Sequence, residues 1–456
     1  MNAKFDVIII GGGPGGTAAA RILAQAGKSV ALVEESALGG VCLNCGCIPT
    51  KFFLAATAPL GSVHDHARFG SVTGELSVAF DALQKRKERF IKGSVSALAK
   101  SLQNFGVTIF SGKGIITGQG EVVIEGEVAA SLHGTDIILA TGSRSASFPG
   151  MVPDGECVLD STMLLALEAV PKSLLVVGAG AIGVEFADFF AALGTEVTII
   201  EGLPTLVPTE DADIGEELRK ILQKSRKCIT GQKVSSLVSK NDQAELVLEN
   251  GDVLTAAKAL IAVGRRPNTE NIGVDTLGGT LTARGFVAVD AMLQTAPHCY
   301  AIGDCNGLTL LAHAAEHQGE WVARHILGKE KGAYVSGPVP SCVFGHTEVM
   351  RVGKTAREAA SSGGAVFISK APFSVNPIAQ AHGASSGFVK AVWEGDILVG
   401  MAAVGHGAAH LVTLAQLLVL HNVTEESLHA FMFAHPTLDE IVKSALIAPK
   451  EKYMRE

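Results

Sequence analysis

Charged residues are scarce in this chain, 18% of 456 residues, and no Lys/Arg cluster stands out against a net charge of −8. Nucleic acid binding needs a basic patch as its electrostatic footprint, so that class is excluded. The one basic run, Lys85–Lys92, includes Glu88 and has a helical pattern, which reads as a solvated helix face. Low charge combined with 47% apolar residues also excludes a disordered chain. Aromatic residues are few, at 5%, whereas glycine is abundant, with 52 copies. Abundant glycine beside Val/Ile runs and Ala-rich stretches suits α/β architecture with many tight strand-to-helix turns. At roughly 150 residues per domain, the length points to about three domains.

Long, uniformly apolar runs are also missing. Gly400–Leu420 carries no Asp, Glu, Lys or Arg, yet it contains His406, His410, Gln416 and several glycines. It reads as a buried strand, a glycine turn and a helix from about Ala408, not as a membrane span. At the N-terminus Lys4 is followed at once by the strand Phe5–Ile10 and a glycine turn, which leaves no room for a cleavable signal. The expectation is a cytoplasmic protein with no membrane association. Eight cysteines are present, at 42, 45, 47, 157, 228, 299, 305 and 342. Three are clustered and five scattered, which does not make a secreted disulfide framework; a cytosolic redox or metal site fits better.

Two stretches share one pattern. Strand Asp6–Ile10, a glycine turn, helix Thr17–Gln25 and strand Ser29–Glu34 make a βαβ start. Strand Leu174–Val177, a second glycine turn, helix Ala181–Leu193 and strand Glu196–Glu201 make another. Each is followed later by an apolar strand that runs into Thr141-Gly142 or Val263-Gly264. Duplicated nucleotide-binding domains are the natural reading. From about Ser336 neither glycine signature recurs, and a third domain of mixed strands and helices is expected.

The turns are Gly11-Gly12-Gly13-Pro14-Gly15-Gly16 and Gly178-Ala179-Gly180-Ala181-Ile182-Gly183. GxGxxG alone is weak in so glycine-rich a chain; the strand before each turn and the helix after it give the pattern weight. Gly11 and Gly178 permit the tight turn, Gly13 and Gly180 let the backbone approach a pyrophosphate, and Gly16 and Gly183 let helix and strand pack closely. The free N–H groups of each helix N-terminus then face the phosphates. Glu34 and Glu201 end the second strand of each copy, where an acid accepts hydrogen bonds from a ribose diol. At Glu201 the acid would repel a 2′-phosphate, which predicts NAD over NADP.

The cysteine cluster is Gly39-Gly40-Val41-Cys42-Leu43-Asn44-Cys45-Gly46-Cys47-Ile48-Pro49-Thr50-Lys51. Its place just after the first βαβ start puts the thiols near whatever that domain binds. A metal site would want four ligands, and no second cysteine pair or close histidine completes one, so no metal is expected. Cys42 and Cys45 form a CxxC, which suits a thioredoxin-like pair. Cys42 and Cys47 are the other candidate pair. On an ideal helix those two lie about 500° apart and off one face, so they bridge only if the helix starts late or is distorted, which Gly46 allows. Inert buried thiols are the remaining alternative. Spacing alone does not choose among them.

Together these motifs resemble the flavin-dependent pyridine nucleotide–disulfide oxidoreductases, most closely their dihydrolipoamide dehydrogenase branch. The resemblance rests on the first GxGxxG, Gly39–Lys51, ATGSR at 140–144, the second GxGxxG, VGRRPN at 263–268, YAIGD at 300–304 and HPTLDE at 435–440. These follow the family's order from Asp6 to Glu440. The resemblance implies an α/β fold of two Rossmann-like dinucleotide-binding domains, for FAD and NAD, plus a C-terminal α+β dimerisation domain. The implied boundaries are 1–145 with 271–335 for FAD, 146–270 for NAD and 336–456 for the interface domain. FAD would be held by Gly11, Gly13, Pro14, Gly16, Glu34, Lys51, Gly114, Thr141, Gly142, Asp304 and Ala312. NAD would be held by Gly178, Gly180, Gly183, Glu201 and Gly264. The resemblance makes Cys42 and Cys47 the redox pair, with Cys47 against the flavin and Cys42 exchanging with substrate. Lys51 and Glu185 become an ion pair beside the flavin. His435 becomes the catalytic base, held by Glu440, and acts across a homodimer interface on the cysteines of the other subunit.

The implied reaction is oxidation of dihydrolipoamide, free or on a lipoyl-bearing carrier protein, with reduction of NAD. No lipoyl-like extension precedes Asp6, so the carrier is expected on a separate chain. Several positions depart from the family. Cys45 stands where a non-cysteine residue is usual and is expected to pack as a bystander, the alternative being a Cys42–Cys45 bridge. Phe433 replaces a histidine, Gly345-His346-Thr347 replaces Thr-x-Pro, and the helix after Gly407 lacks its usual acid. These last changes fall in the third domain and leave room for NADH-dependent reduction of another small or carrier disulfide. A reading from a different class is a non-catalytic flavoprotein scaffold or redox sensor. The intact Cys42, Cys47, His435 and Glu440 argue against it.

Overall fold

The computed structural model of this chain describes residues 2–126 and 129–454. The chain forms two compact units. One comprises Met1–Pro49, Gln84–Ser145 and Arg265–Ser336, the other Thr50–Leu83, Ala146–Gly264 and Gly337–Glu456.

The sheet of the first unit runs in the order Gln294–Ala296, Cys299–Ala301, Ala130–Leu139, Asn2–Ile10, Val30–Glu34, Thr108–Ser111, and the hairpin Lys113–Gly118 with Glu121–Glu125 joins it at Ala130–Leu139. Pairing is parallel from Cys299–Ala301 across to Thr108–Ser111. An uninterrupted apolar strand is stable here because both of its faces are covered. Val7 and Ile9 share one cluster with Ala19, Ala20 and Leu23 of helix Pro14–Gln25. Ile8 and Ile10 share the opposite cluster with Ile116, Val122 and Ile124 of the hairpin.

The second unit repeats the device. Its parallel sheet runs Lys227–Thr230, Glu196–Glu201, Ser173–Val177, Lys258–Ile261, Val158–Leu159. Leu174 and Val176 join Phe186, Ala187 and Phe190 of helix Ala181–Ala192. Leu175 and Val177 join Leu237 and Leu246 of the antiparallel strands Val234–Lys240 and Gln243–Leu248. A six-stranded antiparallel sheet makes the C-terminal part, and Ala415, Leu418, Ile441 and Val442 of helices Val412–Leu420 and Glu440–Leu446 pack on it against Met350, Val389 and Met401. Two nucleotide-binding folds and a C-terminal α+β part are therefore what forms.

Gly400–Leu420 resolves into the end of strand Ile397–Gly405 and the helical turns Ala408–Leu411 and Val412–Leu420. Among the described residues one helical stretch, Gly40–Ala67, is long and apolar enough to cross a membrane by length and composition. It consists of two helices, Gly40–Cys45 and Cys47–Ala67, divided at Gly46, and it carries Lys51.

The basic run differs from expectation at one residue. In helix Phe80–Asn104, Phe80, Leu83, Gln84 and Lys87 are all buried, at spacing i, i+3, i+4, i+7. Lys87 thus lies on the buried stripe, while Lys85, Arg86, Glu88 and Arg89 stay exposed. Its ammonium donates to Gln84 Oε1, and burial pushes its pKa down.

Lys390, on strand Gly387–Glu394, is the most buried cation of the second unit. It is 1% exposed and donates to Asp211 at 2.8 Å and to Asp213 at 2.9 and 3.0 Å. Asp211 also accepts from the N–H groups of Ala356 and Arg357 at the start of helix Ala356–Ser361. Burial opposes the charge on Asp213, but Lys390 and Lys370 outweigh it and hold the carboxyl below its ordinary 3.8. Lys390→Ala leaves Asp211 with its backbone donors and Asp213 with Lys370 as its remaining cation, and is expected to destabilise the protein by about 3 kcal/mol, read by denaturant or thermal unfolding. A depressed carboxylate pKa stabilises above the unfolded value and loses that contribution as pH falls through the folded one. The wild type should therefore show an acid step below about pH 3.8 that shrinks in the variant. Equal melting temperatures would show that the cluster contributes nothing.

Candidate active site

The two glycine turns match residue for residue. Gly11 and Gly178 have φ of +109° and +99°, and a Cβ on them would run into Ala140 O and Ala262 O respectively. A Cβ on Gly16 would strike Gly11 O, and one on Gly183 would strike Gly178 O. Gly13 and Gly180 differ, because a Cβ there meets nothing within 4 Å. Packing within the protein does not require glycine at these two places. The open space beside their backbone is what close approach of a pyrophosphate needs.

The acids also match. Glu34 accepts from Gly12 N–H at 2.6 Å and Ser36 N–H at 2.8 Å. Glu201 accepts from Ala179 N–H at 2.7 Å and Leu203 N–H at 2.9 Å. Each carboxylate splints its own glycine turn and keeps further lone pairs for a ribose. Sequence reasoning gave these acids only the ribose role. Gly180→Ala is expected to leave the melting temperature unchanged and raise KM for NAD about tenfold, roughly 1.4 kcal/mol. Gly183→Ala is expected to prevent correct folding. A Gly180→Ala protein with unaltered KM would mean that no ligand approaches that backbone.

In the first unit, Thr141 Oγ1 donates to Asn268 O at 2.7 Å, Asn268 Nδ2 returns a bond to Thr141 O at 3.0 Å, and Gly142 takes φ +68°. Asp304 lies in the short helix Gly303–Asn306 and accepts from Ser143 Oγ, with Arg265 Nε 3.5 Å away. Arg265 in turn donates to Ser143 Oγ at 2.6 Å. Ser143 and Arg265 were not singled out from the sequence, although both sit inside motifs that were. Ala312 opens helix Ala312–Ile326, whose first N–H groups have no intrahelical partner. Gly114 lies in strand Lys113–Gly118, where a Cβ would come within 3.0 Å of Ile10. In the second unit Gly264, with φ +120°, has open space where a Cβ would point.

The cysteines sit on an interrupted helix. Helix Gly40–Cys45 begins after Gly39, at φ +90°, and stops at Gly46, whose φ of −141° and ψ of −107° are not helical. A Cβ on Gly46 would lie 2.9 Å from Val41 O, so the chain turns tightly before helix Cys47–Ala67 begins. Asn44 anchors the short helix by donating to Leu38 O at 3.0 Å and Gly40 O at 2.9 Å. Cys42 is half-buried and Cys47 exposed. Lys51 stands one helical turn beyond Cys47. Its ammonium bonds both oxygens of Glu185, at 2.9 and 2.8 Å, and lies 4.3 Å from the Phe344 ring centroid. Glu185 is buried in helix Ala181–Ala192 and also accepts from Phe344 N–H at 3.1 Å. Burial pushes the Glu185 carboxyl up, against the pull of Lys51.

His435 Nδ1 lies 3.0 and 3.2 Å from the two oxygens of Glu440, the first residue of helix Glu440–Leu446. Thr437 N–H donates to the same carboxylate at 3.0 Å. That N–H, and next His435, hold the Glu440 carboxyl below its ordinary range, so it is anionic at neutral pH. An anion at Nδ1 fixes the proton there and leaves the Nε2 lone pair available as an acceptor. The His435 side chain is 72% exposed, open to whatever approaches this protomer.

The departures in the C-terminal part have partners too. His346 Nε2 lies 2.8 Å from Asp65, and His346 N–H donates to Asp188 at 2.7 Å. The hydrogen bond to Asp65 raises the His346 pKa against burial. Thr347 is buried, and Phe433 packs against the core of the six-stranded sheet.

Residues 5–319 match the pyridine nucleotide-disulphide oxidoreductase family, and residues 339–446 match its dimerisation domain. The chain belongs to this family. The dihydrolipoyl dehydrogenase of Chlamydia muridarum is 35% identical over 98% of this chain and 97% of its own. Those of Chlorobaculum tepidum and Bacillus subtilis are 36% and 33% identical, covering 98% and 99% of this chain and 97% and 99% of their own. Among solved structures, LpdA from Mycobacterium tuberculosis is similar at TM-score 0.89 and 25% identity, covering 98% of this chain and 99% of that one. The Cu(II) complex of the HOCl-induced flavoprotein disulfide reductase RclA from Escherichia coli is similar at TM-score 0.87 and 27% identity, covering 97% and 99%. As a pyridine nucleotide-disulphide oxidoreductase the chain is an enzyme that uses FAD and NAD(H). Its two open, acid-splinted glycine cradles fit two such dinucleotides.

Proposed function

We propose that this family member is an NAD-linked dihydrolipoamide dehydrogenase, acting on free dihydrolipoamide or on a lipoyl-bearing carrier protein. The observation that carries this reading is the helix interrupted at Gly46, which sets Cys42 and Cys47 on successive helices with Lys51 one turn on. The end-to-end relatives at 33–36% identity, all dihydrolipoyl dehydrogenases, support the substrate. In this reading residues 1–145 and 271–335 hold FAD, residues 146–270 hold NAD, and residues 336–456 form the interface of a cytoplasmic homodimer. Gly11, Gly13, Pro14, Gly16, Glu34, Lys51, Gly114, Thr141, Gly142, Asp304 and Ala312 serve the first cofactor. Gly178, Gly180, Gly183, Glu201 and Gly264 serve the second.

His435 Nε2 takes a proton from a substrate thiol, and Glu440 stabilises the imidazolium that results. The substrate thiolate attacks Cys42 Sγ, breaking the Cys42–Cys47 disulfide and releasing Cys47 as a thiolate. The second substrate thiol then attacks the substrate sulfur bound to Cys42, which frees the cyclic disulfide product. Lys51 puts positive charge one helical turn from Cys47, which favours its thiolate. Bound FAD supplies the passage of two electrons from the dithiol to the pyridine nucleotide. The deciding assay is dihydrolipoamide-dependent reduction of NAD beside NADP, on protein with a confirmed yellow flavin. Turnover with NAD and little with NADP is the expected result. A flavin that NADH reduces, with no dihydrolipoamide turnover, would sink the substrate assignment.

One observation favours a second reading. The His346–Asp65 pair stands where Thr-x-Pro is usual, and RclA, a structural relative, is a disulfide reductase. NADH oxidation with a different disulfide as acceptor would then outpace NADH oxidation with lipoamide.

A further inference from the structure

We propose that Cys45 is a second disulfide partner for Cys42, so that the oxidised protein isomerises between a Cys42–Cys47 and a Cys42–Cys45 bridge. The inference rests on Cys42 and Cys47 being the working pair. Cys42 and Cys45 are three residues apart in one continuous helix, Gly40–Cys45. Helix geometry puts such Cα atoms about 5 Å apart, within disulfide reach, and their Cβ atoms about 5–6 Å apart, so the bridge closes as the last turn tightens at Cys45, the final helical residue beside the non-helical Gly46. Cys47 opens the next helix, beyond the stop at Gly46. Cys42 therefore has one partner within its own helix and one across the break. Bystander packing does not account for Cys45, which is partly exposed and belongs to none of the hydrophobic clusters among the described residues.

The exchange balances without an outside oxidant. The Cys45 thiolate attacks Cys42 Sγ of the Cys42–Cys47 disulfide. The Cys42–Cys45 S–S bond forms, the Cys42–Cys47 S–S bond breaks, and the electron pair leaves on Cys47 Sγ. The proton lost by Cys45 goes to solvent, and solvent can reprotonate Cys47. While Cys42 is tied to Cys45, substrate can still exchange with it, but electrons no longer reach Cys47. The isomer is a reversible parked form, and returning Cys42 to Cys47 restores turnover.

The three cysteines fall in one tryptic peptide, Ser29–Lys51, so their pairing can be read by mass spectrometry. Air-oxidised holoenzyme is alkylated under native conditions, then reduced and alkylated with a second, heavier reagent, and the peptide is fragmented. The first label is expected to divide between Cys45 and Cys47. In Cys45→Ser none of it should reach Cys47. In Cys47→Ser, oxidation should protect both Cys42 and Cys45 and leave the intact protein lighter by two hydrogens. First label confined to Cys45 in the wild type would overturn the isomerisation. First label on Cys42 in the wild type would mean that Cys42 has no bridge at all. That result would overturn the working pair itself, and this inference with it.

Discussion

Cys47→Ser is expected to lower dihydrolipoamide-dependent NAD reduction by at least about a thousandfold, while NADH still bleaches the bound flavin. The size follows from position. Cys47 opens helix Cys47–Ala67 immediately after the break at Gly46, and no other cysteine shares that helix. Serine keeps the shape but cannot form the Cys42–Cys47 disulfide, so the substrate thiolate has no S–S bond there to attack. Stopped-flow reduction by NADH and steady-state turnover with dihydrolipoamide separate the two halves. Loss of both would point to a misfolded protein or a displaced flavin instead of a missing redox group.

His435→Gln is expected to lower kcat by about a hundredfold to ten-thousandfold, the usual range for removal of a general base. Glu440→Gln is expected to cost less. The glutamine keeps a hydrogen-bond acceptor near Nδ1 but loses the anion that Thr437 N–H and His435 hold ionised. The exposure of His435 makes the sharper test one of complementation. If His435 serves the cysteines of a second copy, mixing inactive Cys47→Ser with inactive His435→Gln yields heterodimers with one intact site. Random assortment then restores about a quarter of wild-type activity. No restored activity would place the base and the thiols on the same subunit.

The fold was legible wherever the signal is short-range. Both βαβ starts, their glycine turns and the strands leading into Thr141-Gly142 and Val263-Gly264 have local patterns; the elements of the second start formed within a residue of expectation, while in the first the strand begins at Asn2 instead of Asp6 and the helix at Pro14 instead of Thr17. Lys87 departs from the solvated-face reading because it falls on the apolar stripe of its helix. The spacing Phe80, Leu83, Gln84, Lys87 marks the buried stripe directly. The splinting of each glycine turn by Glu34 or Glu201 was missed for another reason. The acid's offset is visible in the sequence, but the N–H groups it accepts from depend on how the turn closes.

By itself, the sequence determined the α/β class, the two dinucleotide cradles, the cysteine cluster, and the family, because each is written in residues a few places apart. It left the pairing of Cys42 open, and the termination of the helix at Gly46 was decided by the folded backbone. The family resemblance already implied the Lys51–Glu185 pair, across 134 positions, but only the tertiary structure joined Asp211 to Lys390 across 179 and Asp65 to His346 across 281. Such pairs cannot be read from spacing. Their partners are chosen by which strands and helices the core brings together, and a charge taken out of water is stable only beside the one group that core delivers.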